Sequence, residues 1–266
     1  MAPSPLPSKP HSDWQEEDEP AQPAPPDSDR QQAGAVRQGG LQHSERLPGL
    51  DARFAPGRVF DPQLLSQEQA PGRWYRIPAW LAGLWQARSE TILAQTDLHS
   101  GAAMTMPFVS RRRQSMSFGM QQDASGNVWH LVKVPIVRRF KLENRVEYKV
   151  EVDLRFLDLI ANQFVSVART IAIQVENDTN LIVETRQEEG LWHISPIAGR
   201  QARCLGSVKT FDMHGTPLGV CRVALKLERC KPFAVRGSLA GEDLRASLSR
   251  HLLRQGLGEL APPASK

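Results

Sequence analysis

Two matching tetrapeptides, Val128-Trp129-His130-Leu131 and Leu191-Trp192-His193-Ile194, set an indole beside an imidazole between apolar residues. Successive strand side chains point to opposite faces, so in each both neighbours of the Trp face the other way. Turned inward, the two indoles floor or line a cavity; packed, they are ordinary core aromatics. A zinc site from His130, His193 and His214 needs ligands converging from separate strands, and no local ligand spacing is present, so no metal is expected. A second candidate is basic: Arg111-Arg112-Arg113, Arg138-Arg139, Lys141 and Arg145. Such a cluster either clamps a carboxylate or phosphate through paired guanidinium bonds or forms a solvated face. Adjacent arginines on a strand cannot all share one side, so at least one of Arg111, Arg112 and Arg113 points inward or sits in a bulge. Nucleic-acid binding wants exposed aromatics among the basic residues, and the aromatics here sit in apolar runs.

Nucleophile chemistry has little to stand on. Ser195 follows His193 at a strand end, no Gly-x-Ser-x-Gly occurs, no carboxylate pair stands out, and no glycine-rich loop opens a helix. No catalytic residue is assigned. Cys204, Cys221 and Cys230 form no Cys-x-x-Cys pair, and an odd, sparse count argues against a disulfide framework.

The element that must position these groups is Val146 to Phe156, where apolar and charged residues alternate without a slip. Val146, Tyr148, Val150, Val152, Leu154 and Phe156 fall on one side, and Glu147, Lys149, Glu151, Asp153 and Arg155 on the other. This predicts a long strand with one dry and one wet face in an antiparallel sheet. Further strands are expected over Leu84–Leu93, Met104–Met120, Val128–Val134, Arg138–Asn144, Phe164–Val175, Leu181–Arg186, Leu191–Ile194, Cys204–Phe211 and Leu218–Leu227. Turns are expected at residues 123–127, 176–180, 188–190 and 212–215. Asp243–Arg254 reads as a helix, with Leu244, Leu248 and Leu252 along one face. About eight or nine strands joined by tight turns, with no βαβ alternation, predict an all-β up-and-down antiparallel barrel with a C-terminal helix.

Residues 1–50 read as a disordered, proline-rich acidic tail. They hold four basic and eight acidic residues, a charge of −4 against +4 for the whole chain, which leaves +8 on residues 51–266. Residues 51–72 are a connector with apolar content, expected to lie against the domain. Residues 73–256 form the barrel domain with its helix, and residues 257–266 a frayed end. Met1–Pro10 has no apolar run of a signal peptide and nothing later reaches the length of a membrane span, which predicts a soluble, cytoplasmic protein.

Gly83-Leu84-Trp85, preceded by the Pro78-initiated turn, resembles the Gly-x-Trp that opens the first strand in the calycin superfamily, which includes the lipocalins. The resemblance implies a short turn closing the barrel floor, with Gly83 structural. It also implies an arginine of the last strand, Arg222 or Arg229, packing over Trp85 as a cation–π contact. It implies a carrier or sensor of a hydrophobic or amphipathic small molecule. Trp85, Trp129, Tyr148, Phe156 and Trp192 would line the site, and an arginine among Arg111, Arg112, Arg113, Arg138 and Arg139 would take an acidic end. The alternative is an interaction or assembly module whose basic surface binds an acidic protein partner or an anionic membrane, regulated by the acidic tail. A chromophore-lyase-type member would need a reactive group at the barrel mouth, and the sequence offers none.

Overall fold

The computed structural model describes residues 42–65, 71–104, 106–111, 113–160 and 162–262. The expected tail lies almost wholly outside these residues, as does Arg112. Antiparallel strands dominate. β1 (Arg73–Ile77) is followed by β2 (Gly83–Ala87) and β3 (Glu90–Asp97). Arg88 and Ser89 divide what the pattern reads as one strand. β4 (Ala103–Met104), β5 (Phe108–Ser110) and β6 (Gln114–Phe118) divide the next, with Pro107 and Arg111–Arg113 between them. β7 (Gln121–Gln122) and β8 (Val128–Val132) precede Pro135, and β9 (Ile136–Lys141) follows it. Then come five long strands: β10 (Arg145–Ile160), β11 (Gln163–Glu176), β12 (Ile182–Ala198), β13 (Gln201–Phe211) and β14 (Pro217–Pro232). The tiny pair β15 (Ser238–Leu239) and β16 (Glu242–Asp243) leads into the helix α1 (Leu244–Arg254).

The expected barrel does not close. In the 11-stranded sheet β9 to β14 lie side by side in sequence order. β14 then divides, its first half pairing with β3 and its last residues with β2. β4 and β5 flank β3, and β6 flanks β2. The two edges, β9 and the β4–β5–β6 series, share no ladder. β5 and β9 directly follow Pro107 and Pro135, which have no N–H to give, and β8 turns away to pair with β1. The sheet still curls on itself. Phe118 of β6 meets Phe156 of β10 at 6.5 Å and Phe164 of β11 at 5.7 Å between ring centroids, although those strands lie at opposite ends of the ladder order. The small sheet β1–β8–β7 packs at this junction. Tyr75 lies 5.2 Å from Phe156, and Arg73 donates to Asp153 Oδ1 at 2.7 Å and to the Leu154 carbonyl at 3.1 Å. Side-chain contacts bridge the open edges at this one end.

The long strand β10 corrects its own pattern. A bulge between Glu151 and Asp153 shifts the register against β11, and an inserted residue swaps the faces beyond it. Tyr148, Val150 and Val152 therefore pack on the outer face with Ile171, Ile173 and Val175, while Phe156 joins Trp85, Phe164 and Trp192 on the inner one. The expected turn at Glu188-Glu189-Gly190 is likewise absent: β12 runs straight through it. Gly190 is there for another reason. A Cβ on Gly190, or on Gly206 of the neighbouring strand, would overlap the Trp192 ring, which lies flat across both.

Residues 42–65 form a strap across the outer face, and its docking begins before residue 51, inside the stretch that composition assigns to the tail. Phe54, Phe60 and Leu65 bury themselves against Val150, Ile171, Ile173 and Ile182. Backbone bonds tie Leu47 to Gly215, Leu50 to Met213, Gly57 and Arg58 to Ile182, and Phe60 to Asn180. Thr185 Oγ1 donates to the Phe54 carbonyl at 2.6 Å. At the other end of the domain, α1 is capped by the Asp243 carboxylate accepting from the Ala246 N–H at 3.0 Å. Its Leu244, Leu248 and Leu252 are fully buried against Trp74, Met120, Trp129 and Leu131, so the helix covers the small sheet.

Candidate functional site

The five aromatics expected to line one ligand space are distributed over three cores. Trp85, Phe156 and Trp192 belong to the inner-face core. Trp129 lies under α1, its Nε1–H donating to Asp123 Oδ2 at 2.9 Å and its ring edge-on to His251. Tyr148 is on the outer face, stacked on Phe60 at 4.6 Å. Open depressions of about 460 Å³ and 250 Å³ occur beside the strap, at Arg53, Arg58 and Asp61, and beside α1, at Lys133, Ser247 and Arg250. Neither touches any of the five aromatics.

Gly83 opens β2 at φ +132°, where a Cβ would come within 2.6 Å of the Lys231 carbonyl oxygen. Trp85 is 1 % exposed. Its Nε1–H donates to the Leu81 carbonyl at 2.6 Å, and the Arg229 guanidinium sits 4.9 Å from the ring centroid. Arg229 also donates to the Trp80 carbonyl at 2.8 Å, fixing the Pro78 turn to β14. Arg222 is placed elsewhere, opposite Ser207 in the β13–β14 ladder.

Of the charges expected to form a wet face on β10, Glu147 and Glu151 are buried, Lys149 and Asp153 half-buried and Arg155 exposed. Arg186 of β12 donates to Glu147 at 2.7 Å and Glu184 at 3.0 Å and reaches Glu188 at 3.3 Å, while Lys149 pairs with Glu188 at 2.9 Å. Burial alone would raise the Glu188 carboxyl, but Lys149 and Arg186 hold it below its ordinary value. Glu151 goes the other way: burial pushes it up, and Arg138 at 3.3 Å offsets this only in part. Arg138 is thereby paired, although its side chain stays 54 % exposed.

What stays uncommitted lies on the edges. Arg111, Arg113 and Arg139 are exposed and make no ion pair among the described residues. Beside the first two, the β4–β5 edge presents Met106 at 80 %, Val109 at 63 % and Phe108 at 46 % exposure. Leu98 and Leu218, joined by a backbone bond, extend the apolar strip. Met104–Met120 has the pattern of one strand, which hides this surface, because an exposed apolar run and a buried one look alike without the pairing partner. Arginines set beside such a strip can take phosphate or carboxylate oxygens through forked bonds while the apolar side chains leave water.

His130, His193 and His214 do not converge. Among the described residues no group of three or more His, Cys, Asp or Glu could hold a metal ion. Cys204 is buried, with its thiol pushed up to about 12 by burial and by Glu90. Among the described residues no helix is long and apolar enough to cross a membrane. Comparison with protein families, with curated proteins and with solved structures finds no match to this chain.

Proposed function

We propose that this protein is an interaction module that docks on an anionic membrane surface through the Met104–Arg113 edge. Its scaffold is an incomplete, calycin-like barrel. The observation that carries the reading is the juxtaposition of exposed Met106, Phe108 and Val109 with Arg111 and Arg113, which make no ion pair among the described residues. A free sheet edge invites strand addition by other chains, and short strands, Pro107 and arginines blunt that mode. Docking therefore works through side chains: the apolar ones enter the headgroup boundary and the guanidiniums take lipid phosphates or carboxylates. An interior carrier site is the weaker reading because the aromatic side chains that would line it lie in separate cores.

The test is co-sedimentation with vesicles of phosphatidylcholine alone and with phosphatidylserine added. Binding is expected only to the second, and to weaken as salt is raised. Each basic residue near such a surface contributes about 1 kcal/mol, so Arg111→Gln with Arg113→Gln weakens binding roughly thirty-fold. Phe108→Ser weakens it without changing its salt dependence. Equal binding of the wild type to both vesicle types, or none to either, overturns the proposal.

A further inference from the structure

On the outer face, where the strap begins, three side chains distant in sequence form a line. His43 Nε2 lies 2.8 Å from Ser207 Oγ, and His43 Nδ1 lies 3.3 Å from Glu189 Oε2. Chemistry orients the imidazole. An ionised carboxylate can only accept, so Nδ1 carries the hydrogen and Nε2 keeps the lone pair that faces the Ser207 hydroxyl. Glu189 is itself fixed. Its side chain is buried on β12, Ser44 N–H donates to Oε2 at 2.7 Å and Ser44 Oγ–H donates to Oε1 at 2.8 Å. Burial would raise this carboxyl, but those bonds and His43 hold it below its ordinary value. Burial also lowers His43, against the pull of Glu189, so the ring is neutral and basic at pH 7.

We infer that Ser207, His43 and Glu189 form a nucleophilic relay for acyl transfer from esters that carry a negative charge. The order of groups is that of an activated hydroxyl: nucleophile, base, and an acid that orients the base. The charge preference comes from the flanks. Lys209, two positions along β13, donates to the Ser44 carbonyl at 2.8 Å, so its ammonium is held beside the relay. Arg222 is the cross-strand partner of Ser207 and projects on the same face. Its side chain makes no hydrogen bond or ion pair among the described residues. Two cations beside a half-buried serine can hold a carboxylate and the developing oxyanion. Leu205, exposed on the same strand, gives the acyl chain an apolar contact.

In the step, Ser207 Oγ bonds the ester carbonyl carbon as its proton passes to His43 Nε2. The bond from that carbon to the alcohol oxygen breaks, and the alcohol leaves with the proton from His43. Water, deprotonated by the same nitrogen, then releases the acid and restores Ser207. The strap supplies the base, so the relay exists only while residues 43 and 44 are docked. It is independent of the membrane reading, since none of its groups lies on the Met104–Arg113 edge.

The experiment uses the full chain. It is treated with a fluorophosphonate probe and mapped by mass spectrometry, and then assayed with mono-p-nitrophenyl succinate and with p-nitrophenyl acetate. Expected are a phosphonyl adduct on Ser207, its loss in Ser207→Ala, and at least a ten-fold slower reaction in His43→Gln. The labelling rate should climb with pH as His43 loses its proton. The succinate is expected to exceed the acetate about ten-fold in kcat/KM, and Arg222→Gln to lower the succinate rate several-fold more than the acetate rate, so that the preference is lost. If His43→Gln releases the strap, which circular dichroism and proteolysis would reveal, the pH profile of the wild type decides the role of the base. Labelling of Ser207 no faster than in the urea-unfolded chain overturns the relay. Labelling with no preference for the succinate overturns the substrate class.

Discussion

Replacing Trp85 by alanine is expected to lower stability by about 3–5 kcal/mol, the range for deleting a buried indole whose site cannot collapse. The site cannot collapse because several elements meet on this ring. The Leu81 carbonyl loses its 2.6 Å donor, and the Pro78 turn loses its link to β2. Arg229, now without a ring at 4.9 Å, keeps the Trp80 carbonyl but has a cavity beneath its guanidinium, and its buried Nε already has no partner among the described residues. A charge over a cavity is worse placed than a charge over a π face. Urea unfolding followed by far-ultraviolet circular dichroism gives the number. Trp85→Phe, which keeps a ring under Arg229, is expected to recover more than half of the loss. A cost below about 1 kcal/mol for Trp85→Ala would show that this cluster does not hold the floor of the sheet.

Trp85 is also where the sequence is most legible. Pro78 and Gly83-Leu84-Trp85 mark a turn and a strand start, the resemblance implies an arginine over the ring, and the choice between Arg222 and Arg229 is decided by the β14 register. The helix was equally readable, because a cap and a leucine stripe are local signals. The long strand was readable in length and not in facing. Its alternation is perfect in the sequence, yet the bulge at Glu151–Asp153 divides the apolar set between two cores. A bulge leaves no mark in a period-two pattern when both halves alternate. Glu188-Glu189-Gly190 failed for a related reason. Two acids and a glycine look like a turn, whereas one acid is buried against the strap, the other is paired by Lys149 and Arg186, and the glycine makes room for Trp192.

Barrel closure was the least legible feature. Whether two edges pair depends on whether each can offer a clean row of donors and acceptors over several residues. β5 and β9 are short and follow prolines, so the seam is left to ring contacts at one end. The basic residues read from the sequence as one cluster are sorted by this seam. Arg138 is paired with Glu151, while Arg111, Arg113 and Arg139 at the two edges make no ion pair among the described residues. The relay of Ser207, His43 and Glu189 had no local signal at all, with sequence separations of 146 and 164 residues between His43 and its partners.

That seam also contains the group that should govern acid sensitivity. His130 is buried among Phe118 and Phe156, with ring centroids at 6.2 and 5.3 Å, and its Nδ1 accepts the Gly119 N–H at 3.2 Å. Burial, with a smaller push from Arg236, lowers its pKa from 6.5 to about 4. The unfolded chain therefore takes up a proton near 6.5 that the native protein refuses until about 4. Across that window the unfolded state binds more protons, so stability falls as pH falls, by about 3 kcal/mol from this residue alone. Above the window the residue is neutral in both states and contributes no slope. His43, His193 and His251 are also lowered by burial and add smaller slopes of the same sign. Glu188 and Glu189, lowered from 4.5, add theirs chiefly below the window. Urea midpoints at several values between pH 7 and 4 should drop steadily in the wild type. In His130→Gln, whose side-chain oxygen can still accept from Gly119, most of that drop should vanish while the plateau at pH 7 shifts far less. An unchanged slope in the variant would place the acid sensitivity at His43, His193 and His251 instead of the aromatic seam.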